Sequence, residues 1–158
     1  MFETTDSPLP ADEAAAQLRS LLAGESDPLA NAANFVAFLA LQLPEINWVG
    51  LYRRAGDELV LGPFQGKPAC VRIAVGQGVC GAAVARGESQ RVADVDAFPG
   101  HIACDAASRA ELVVPLWRDG AVVGVVDVDS PRPDRFSAAD QALVEALATA
   151  YLESTAPL

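Results

Sequence analysis

Cysteine and histidine are both scarce in this chain of 158 residues: three cysteines, Cys70, Cys80 and Cys104, and one histidine, His101. An odd, small cysteine count excludes the even-numbered disulfide framework of small secreted domains, so any disulfide here is expected to be transient. Basic residues are few as well. Eleven Lys and Arg stand against 21 Asp and Glu, for a formal net charge of −10, a balance that repels phosphate backbones and anionic lipid and so argues against nucleic acid and membrane surfaces as partners. No run approaches the ~18 uninterrupted apolar residues of a spanning helix, and the opening MFETTDSPLP has neither the basic nor the apolar region of a secretory signal. These absences together set the expectation of a soluble, cytoplasmic protein.

What is present is apolar. Hydrophobic residues make up 51% of the chain, enough at this length to bury a core without staples, and one domain over 1–158 is the expectation. Within it, 1–9 reads as a flexible lead-in, 10–43 as N-terminal helices, and 46–153 as a sheet closed by a C-terminal helix. Pro10 to Leu22 and Leu29 to Leu43 carry apolar residues at helical spacing, and Asp27-Pro28 reads as an N-cap followed by proline at the first helical position. Ile46 to Arg53 and Glu58 to Leu61 flank the turn Ala55-Gly56-Asp57, a hairpin expected at a sheet edge or as an early strand pair.

Cys70 to Val75 is a third strand candidate, ended by Gly76-Gln77-Gly78, which launches a short helix of small residues from Val79 to Arg86. After Gln90 to Ala93 comes a connection from Asp94 to Ser108 that is long for a compact domain, and such loops commonly carry function. Glu111 to Arg118 and Ala121 to Asp129 surround Asp119-Gly120, a two-residue hairpin signal, and are expected to be central strands. Ser137 to Asp140 has the form of a capping box before a closing amphipathic helix that runs to Tyr151. The order predicts an α+β fold: a largely antiparallel sheet with the N- and C-terminal helices packed on one face.

All three cysteines fall in the irregular, glycine- and proline-rich stretch from Gly62 to Arg109, together with His101. Clustering in irregular backbone suggests thiol chemistry, whereas structural cysteines are usually dispersed through apolar elements. Asp127 and Asp129 are two apart on one strand, so their side chains share a face while Val126 and Val128 take the other. If the Asp119-Gly120 turn sets the register, Glu111 comes to the same end, making a cluster of three carboxylates. Like charges so placed raise one pKa enough to hold a proton and leave negative charge for an ammonium group. Trp48 and Tyr52, four apart on another strand, share a face and could box a thioether.

The helix-first order, the segment Gly76-Gln77-Gly78-Val79-Cys80-Gly81 and the closing DRFSAAD of 134 to 140 resemble a GAF domain. GPFQGKPAC at 62 to 70, GQGVCG at 76 to 81 and DVDAFPGHIACDAASRAELVVPL at 94 to 116 together are similar to the free methionine-(R)-sulfoxide reductase family, over roughly Asn31 to Tyr151. That resemblance implies reduction of free L-methionine (R)-S-oxide. It implies Cys104 as nucleophile, Cys70 as the thiol that resolves the oxidised intermediate by disulfide formation, and thioredoxin as reductant. Cys80 joins the catalytic set with its role open, and Trp48, Tyr52, Glu111, Asp127 and Asp129 are the expected substrate-binding residues. No metal and no organic cofactor are implied.

Each signal also has a plainer account. Cys80 between Val79 and Gly81 fits a core filler, Asp127 and Asp129 fit a solvated strand end, and Trp48 and Tyr52 fit ordinary core. His101, Cys104, Cys70 and Cys80 could be read as a zinc tetrad, against which stands the missing ligand-pair spacing at Cys70 and Cys80. A stand-alone GAF sensor of a small molecule is the alternative function. The resemblance to GAF domains also makes a homodimer through the N-terminal helices an expectation, one that composition does not show.

Overall fold

The computed structural model describes residues 8–102 and 105–158. Two helices open it, α1 (Ala11–Leu22) and α2 (Pro28–Gln42). α2 starts as its sequence predicts: the Asp27 carboxylate accepts a hydrogen bond from the Ala30 amide at 2.9 Å, with Pro28 at the first helical position. Next come strands β1 (Trp48–Ala55), β2 (Glu58–Gln65) and β3 (Arg72–Ala74), helix α3 (Gly78–Arg86) and strand β4 (Gln90–Val92). A 3-10 turn (Val95–Ala97), strands β5 (Ala110–Arg118) and β6 (Ala121–Ser130), and helix α4 (Ala138–Ser154) complete it.

The six strands form one sheet in the order β3-β2-β1-β6-β5-β4, with each adjacent pair antiparallel. The β1–β2 hairpin is therefore not at an edge. β1 pairs with β6 on its other side and sits with it at the centre, while β5 lies one place outward. The expected strand Cys70 to Val75 is reduced to Arg72–Ala74, which leaves Cys70 in irregular backbone. Between β5 and β6, Asp119 (φ 52°) and Gly120 (φ 77°) are both left-handed, the type I′ geometry that matches strand twist and fixes the register of this hairpin.

Strand alternation divides the molecule into two apolar clusters. Val126 and Val128 of β6 face α1, α2 and α4, where Leu18, Phe35, Leu39 and Leu147 are fully buried and the Phe35 and Tyr151 rings stack at 4.3 Å. The N- and C-terminal helices thus share one face, as the pattern predicts. Val125 of β6 and Val113 of β5 face the other way, against Val79, Cys80 and Ala83 of α3. α4 is capped as expected, by reciprocal bonds between Ser137 and Asp140. Among the described residues no helix is long and apolar enough to cross a membrane.

The centre of the sheet leaves no room for added atoms. A Cβ at Gly124 of β6 would press on the Tyr52 carbonyl oxygen and lie 3.3 Å from the Arg53 Cα, both backbone and unable to swing aside. Gly124→Ala is expected to cost about 1–3 kcal/mol, read as a thermal midpoint lower by roughly 2–4 °C per kcal/mol. An unchanged midpoint would show that β1 and β6 can separate at that point without loss.

Candidate active site

The register across β1, β6 and β5 builds the site. Trp48 pairs with Asp129 and Asp129 with Glu111, so these three side chains form one row across adjacent strands. In the next row facing the same side, Gly50 pairs with Asp127 and Asp127 with Val113. Glu111 and Asp127 are only 6% and 7% exposed. With Tyr52, Cys80 and His101 these groups line a cleft of about 560 Å³, open mouth included. The expected cluster of three carboxyl groups is formed by strand pairing, as the Asp119-Gly120 turn requires.

A glycine explains how a tryptophan lies across this face. The Trp48 indole extends over Gly50, where a Cβ would come within 2.5 Å of Cη2. The ring is fixed by a 3.1 Å hydrogen bond from its Nε1 to the Lys67 carbonyl and by stacking on Phe64 at 5.4 Å. The Tyr52 ring lies 6.1 Å from that of Trp48, so the two form adjoining aromatic surfaces. Tyr52 does more than pack: its hydroxyl donates to the Cys70 carbonyl at 2.9 Å and so ties the Cys70 segment to β1. Burial, reinforced by the carboxyl groups, holds that hydroxyl protonated.

The carboxyl groups are strongly perturbed. Burial first, then the neighbouring Asp129, pushes Glu111 up from the usual carboxylate range to about 8. Asp127 and Asp129 are raised well above their ordinary value, again chiefly by burial and then by Glu111 and Asp127 respectively. Among the described residues the buried Asp127 Oδ1 has no hydrogen-bond partner, an acceptor that an incoming donor could satisfy. His101 Nε2 lies 3.4 Å from Glu111 Oε2, and burial holds the imidazole below its usual pKa, against an opposing pull from Asp96. With carboxyl raised and imidazole lowered, the contact is a neutral acid–imidazole pair near neutral pH rather than an ion pair.

Cys80 projects from α3 into the same cleft, its sulfur 4.0 Å from Glu111 Oε1. It is a buried free thiol whose pKa is driven up by burial and then by Asp127, which makes it a poor nucleophile at neutrality and favours the packing account of this residue. Cys70 precedes β3 beside the pocket wall and is disulfide-bonded. Cys104, the expected nucleophile, lies outside the described residues. At the rim, Asp105 accepts from the Ala107 amide at 2.9 Å and from Asn47 Nδ2 at 3.2 Å, and lies 3.6 Å from Lys67 Nζ. Those bonds, the Ala107 amide first, hold its carboxylate below its ordinary pKa.

Sequence reasoning brought Trp48, Tyr52, Glu111, Asp127, Asp129 and Cys80 to attention, and the structure brings all six into one cleft. Gly50, Asn47, Phe64 and Lys67 were missed. Gly50 alone carried a readable signal, since glycine inside a run of large β-prone residues marks a close approach. Cys80, Glu111 and Asp127 hold donor atoms within 4.8 Å of one another. Among the described residues, this set of one thiol and two carboxyls matches none of the usual structural zinc sets, and His101 faces Glu111; the fourth member of the zinc tetrad, Cys104, lies outside the described residues.

The cluster couples stability to pH. Glu111 stays protonated in the folded chain between its ordinary 4.5 and about 8, whereas the unfolded chain has lost that proton. The folded state therefore binds more protons over this window, and stability falls as pH rises through it. The thermal midpoint should drop between about pH 5 and pH 8, and Glu111→Gln should flatten the slope. An identical slope in the variant would remove Glu111 from this account.

A family model for the GAF domain matches residues 28–151. The chain is 55% identical over 122 residues to the free methionine-R-sulfoxide reductase of Escherichia coli (strain K12), covering 77% of this chain and 74% of that protein. It is 44% identical over 126 residues to the protein of the same name from Saccharomyces cerevisiae, covering 76% and 69%. The X-ray structure of free methionine-R-sulfoxide reductase from Neisseria meningitidis, in complex with its substrate, superposes with a TM-score of 0.86 at 44% identity over 91% of this chain and 87% of that one. The chain belongs to the GAF-domain family and, within it, to the free methionine-R-sulfoxide reductases.

Proposed function

We propose that this protein reduces free L-methionine (R)-S-oxide to L-methionine with Cys104 as nucleophile, Cys70 as resolving thiol and thioredoxin as the dithiol reductant. The observation that carries the reading is the row Trp48, Asp129, Glu111 with Asp127 beside it: aromatic surface and buried carboxyl groups in one cleft. The names of the relatives point the same way.

Reducing a sulfoxide needs a nucleophile at sulfur and a proton on the oxygen, because an unprotonated oxide leaves poorly. Glu111, raised to about 8, holds that proton at neutral pH. Asp127, with its unpaired Oδ1, and Asp129 receive the ammonium of the amino acid, whose charge favours their ionised forms. Trp48 and Tyr52 take the methyl thioether end. The Cys104 thiolate attacks sulfur while the oxide takes the Glu111 proton. The oxygen ends on Cys104 as a sulfenic acid, and methionine leaves. The Cys70 thiol then attacks Cys104 sulfur, water departs, and a disulfide remains. Thioredoxin returns both thiols by exchange, so each cycle consumes one sulfoxide and one dithiol and yields one sulfide, one disulfide and one water.

A disulfide-bonded Cys70 and a free, buried Cys80 support this division. A cytoplasmic location follows from thiols that must be reduced between cycles. A homodimer remains part of the proposal.

Methionine formation from separated R and S sulfoxides, free and N-acetylated, with thioredoxin, its reductase and NADPH, tests the function. Only the free R form should turn over. Binding without turnover would favour the sensor reading. Cys104→Ser should abolish the reaction and Cys70→Ser should leave about one turnover per site. Glu111→Gln should lower kcat/KM by roughly 10²–10⁴, and the wild-type rate should fall as pH rises through about 8, where Glu111 loses its proton. A rate still climbing well above that pH would exclude Glu111 as the acid.

A further inference from the structure

A buried acid that gives up a proton in every cycle must be recharged, and Glu111 is 6% exposed. Its two oxygens have different neighbours. Oε1 faces the Cys80 sulfur at 4.0 Å, and Cys80 is 3% exposed, so that side leads into the protein. Oε2 faces His101 Nε2 at 3.4 Å, and the His101 side chain is 14% exposed against 7% for that of Glu111. The imidazole therefore touches the acid on one side and the cleft mouth on the other.

The placement of His101 is built into the backbone. Gly100 is left-handed (φ 74°), and the His101 amide donates to the Phe98 carbonyl at 3.2 Å, which turns the chain back toward β5 after the 3-10 turn. The adjoining segment is pinned on its far side, where the Arg109 amide donates to Ser130 and the Val95 amide to the Arg109 carbonyl, each at 2.8 Å. Among the described residues, Glu111 of β5 contacts the imidazole and Asp96 of the 3-10 turn acts on its charge, while Asp127 and Asp129 of β6, Cys80 of α3, and Asp105 with Lys67 at the rim line the same cleft. Asp96 is itself engaged by Arg109 at 3.1 Å.

We propose that His101 is a positioning residue that relays protons from solvent to Glu111 during the reduction put forward above, on which this inference rests. After the oxide has taken the Glu111 proton, the Nε2 proton passes to the Glu111 carboxylate while Nδ1 takes one from the solvent, balanced by the proton that the regenerated Cys104 thiol gives to solvent on returning to thiolate, and the imidazole regains its starting tautomer by exchange with solvent. An imidazole is suited to this because it accepts at one nitrogen as it donates from the other. Its pKa, lowered by burial, keeps the resting ring neutral and ready to accept.

The test uses reduced full-length protein with saturating dithiol and free R sulfoxide. His101→Ala should leave the first turnover at pH 6.5 near the wild-type rate, because Glu111 is already protonated, and lower steady-state kcat about tenfold or more with little change in KM. Added imidazole should restore kcat in proportion to its concentration. His101→Gln keeps an N–H donor but cannot relay, so it should remain slow and likewise spare the first turnover. A Gln variant with wild-type kcat, or an Ala variant that imidazole does not rescue, overturns the relay. If the wild type reduces no free sulfoxide, the proposed function fails separately. The pair is then decided by ¹⁵N NMR of His101, whose titration must move on Glu111→Gln; an unmoved titration overturns it.

Discussion

Everything in the cleft depends on the pairing of β6 with β1 on one side and β5 on the other. That double register sets Asp129 between Trp48 and Glu111 and Asp127 between Gly50 and Val113. Because side chains alternate along a strand, slipping β6 by one residue would send both aspartates into the apolar layer beneath α1, α2 and α4 and bring Val126 and Val128 into the cleft. The cost of burying two carboxyls among Phe35, Leu39 and Leu147 makes such a slip prohibitive. The left-handed pair Asp119 and Gly120 and the close approach at Gly124 hold the register from the turn and from the sheet centre.

The carboxyl cluster is a strained arrangement that the rest of the fold sustains. Burying Glu111 and Asp127 beside one another opposes folding whenever they are ionised, which raises both carboxyls and pushes Glu111 to about 8. The compensating stabilisation lies on the opposite face, where three helices bury an apolar layer that includes Leu18, Phe35, Leu39 and Leu147. One face of the sheet thus supplies stability and the other spends some of it on reactivity. An ammonium group placed against Asp127 and Asp129 would give those two charges a partner and favour their ionised forms, leaving the proton on Glu111.

The cysteines take different places within this frame. Cys80 stands on α3 at the cleft floor, where burial first and then the carboxyls hold it as a thiol, and Cys70 is held at the wall by the Tyr52 hydroxyl. Tyr52 therefore links the aromatic surface to a redox position, a connection that its spacing from Trp48 did not disclose. At the rim, Asp105 accepts from Asn47, the residue before β1, and lies beside Lys67, which ties the segment after residue 104 to the start of that strand.

Much of this was legible in the chain itself. Capping at Asp27 and Ser137, the Asp119-Gly120 turn and the two-residue spacing of Asp127 and Asp129 are local rules. They predicted the helices, the β5–β6 hairpin and the shared face of the aspartates because each acts over a few residues. The placement of β1 at the sheet centre was not legible, because a hairpin does not record which strand will pair with its other edge. The same holds for Gly50 beneath the Trp48 ring, for the Tyr52 bond to Cys70, and for the contact of His101 with Glu111. Each joins segments distant in sequence, and only the closed packing of sheet, α3 and loop brings them within bonding distance. The sequence alone determined which residues were able to do chemistry, and tertiary structure decided which of them meet and, through burial, which hold a proton at neutral pH.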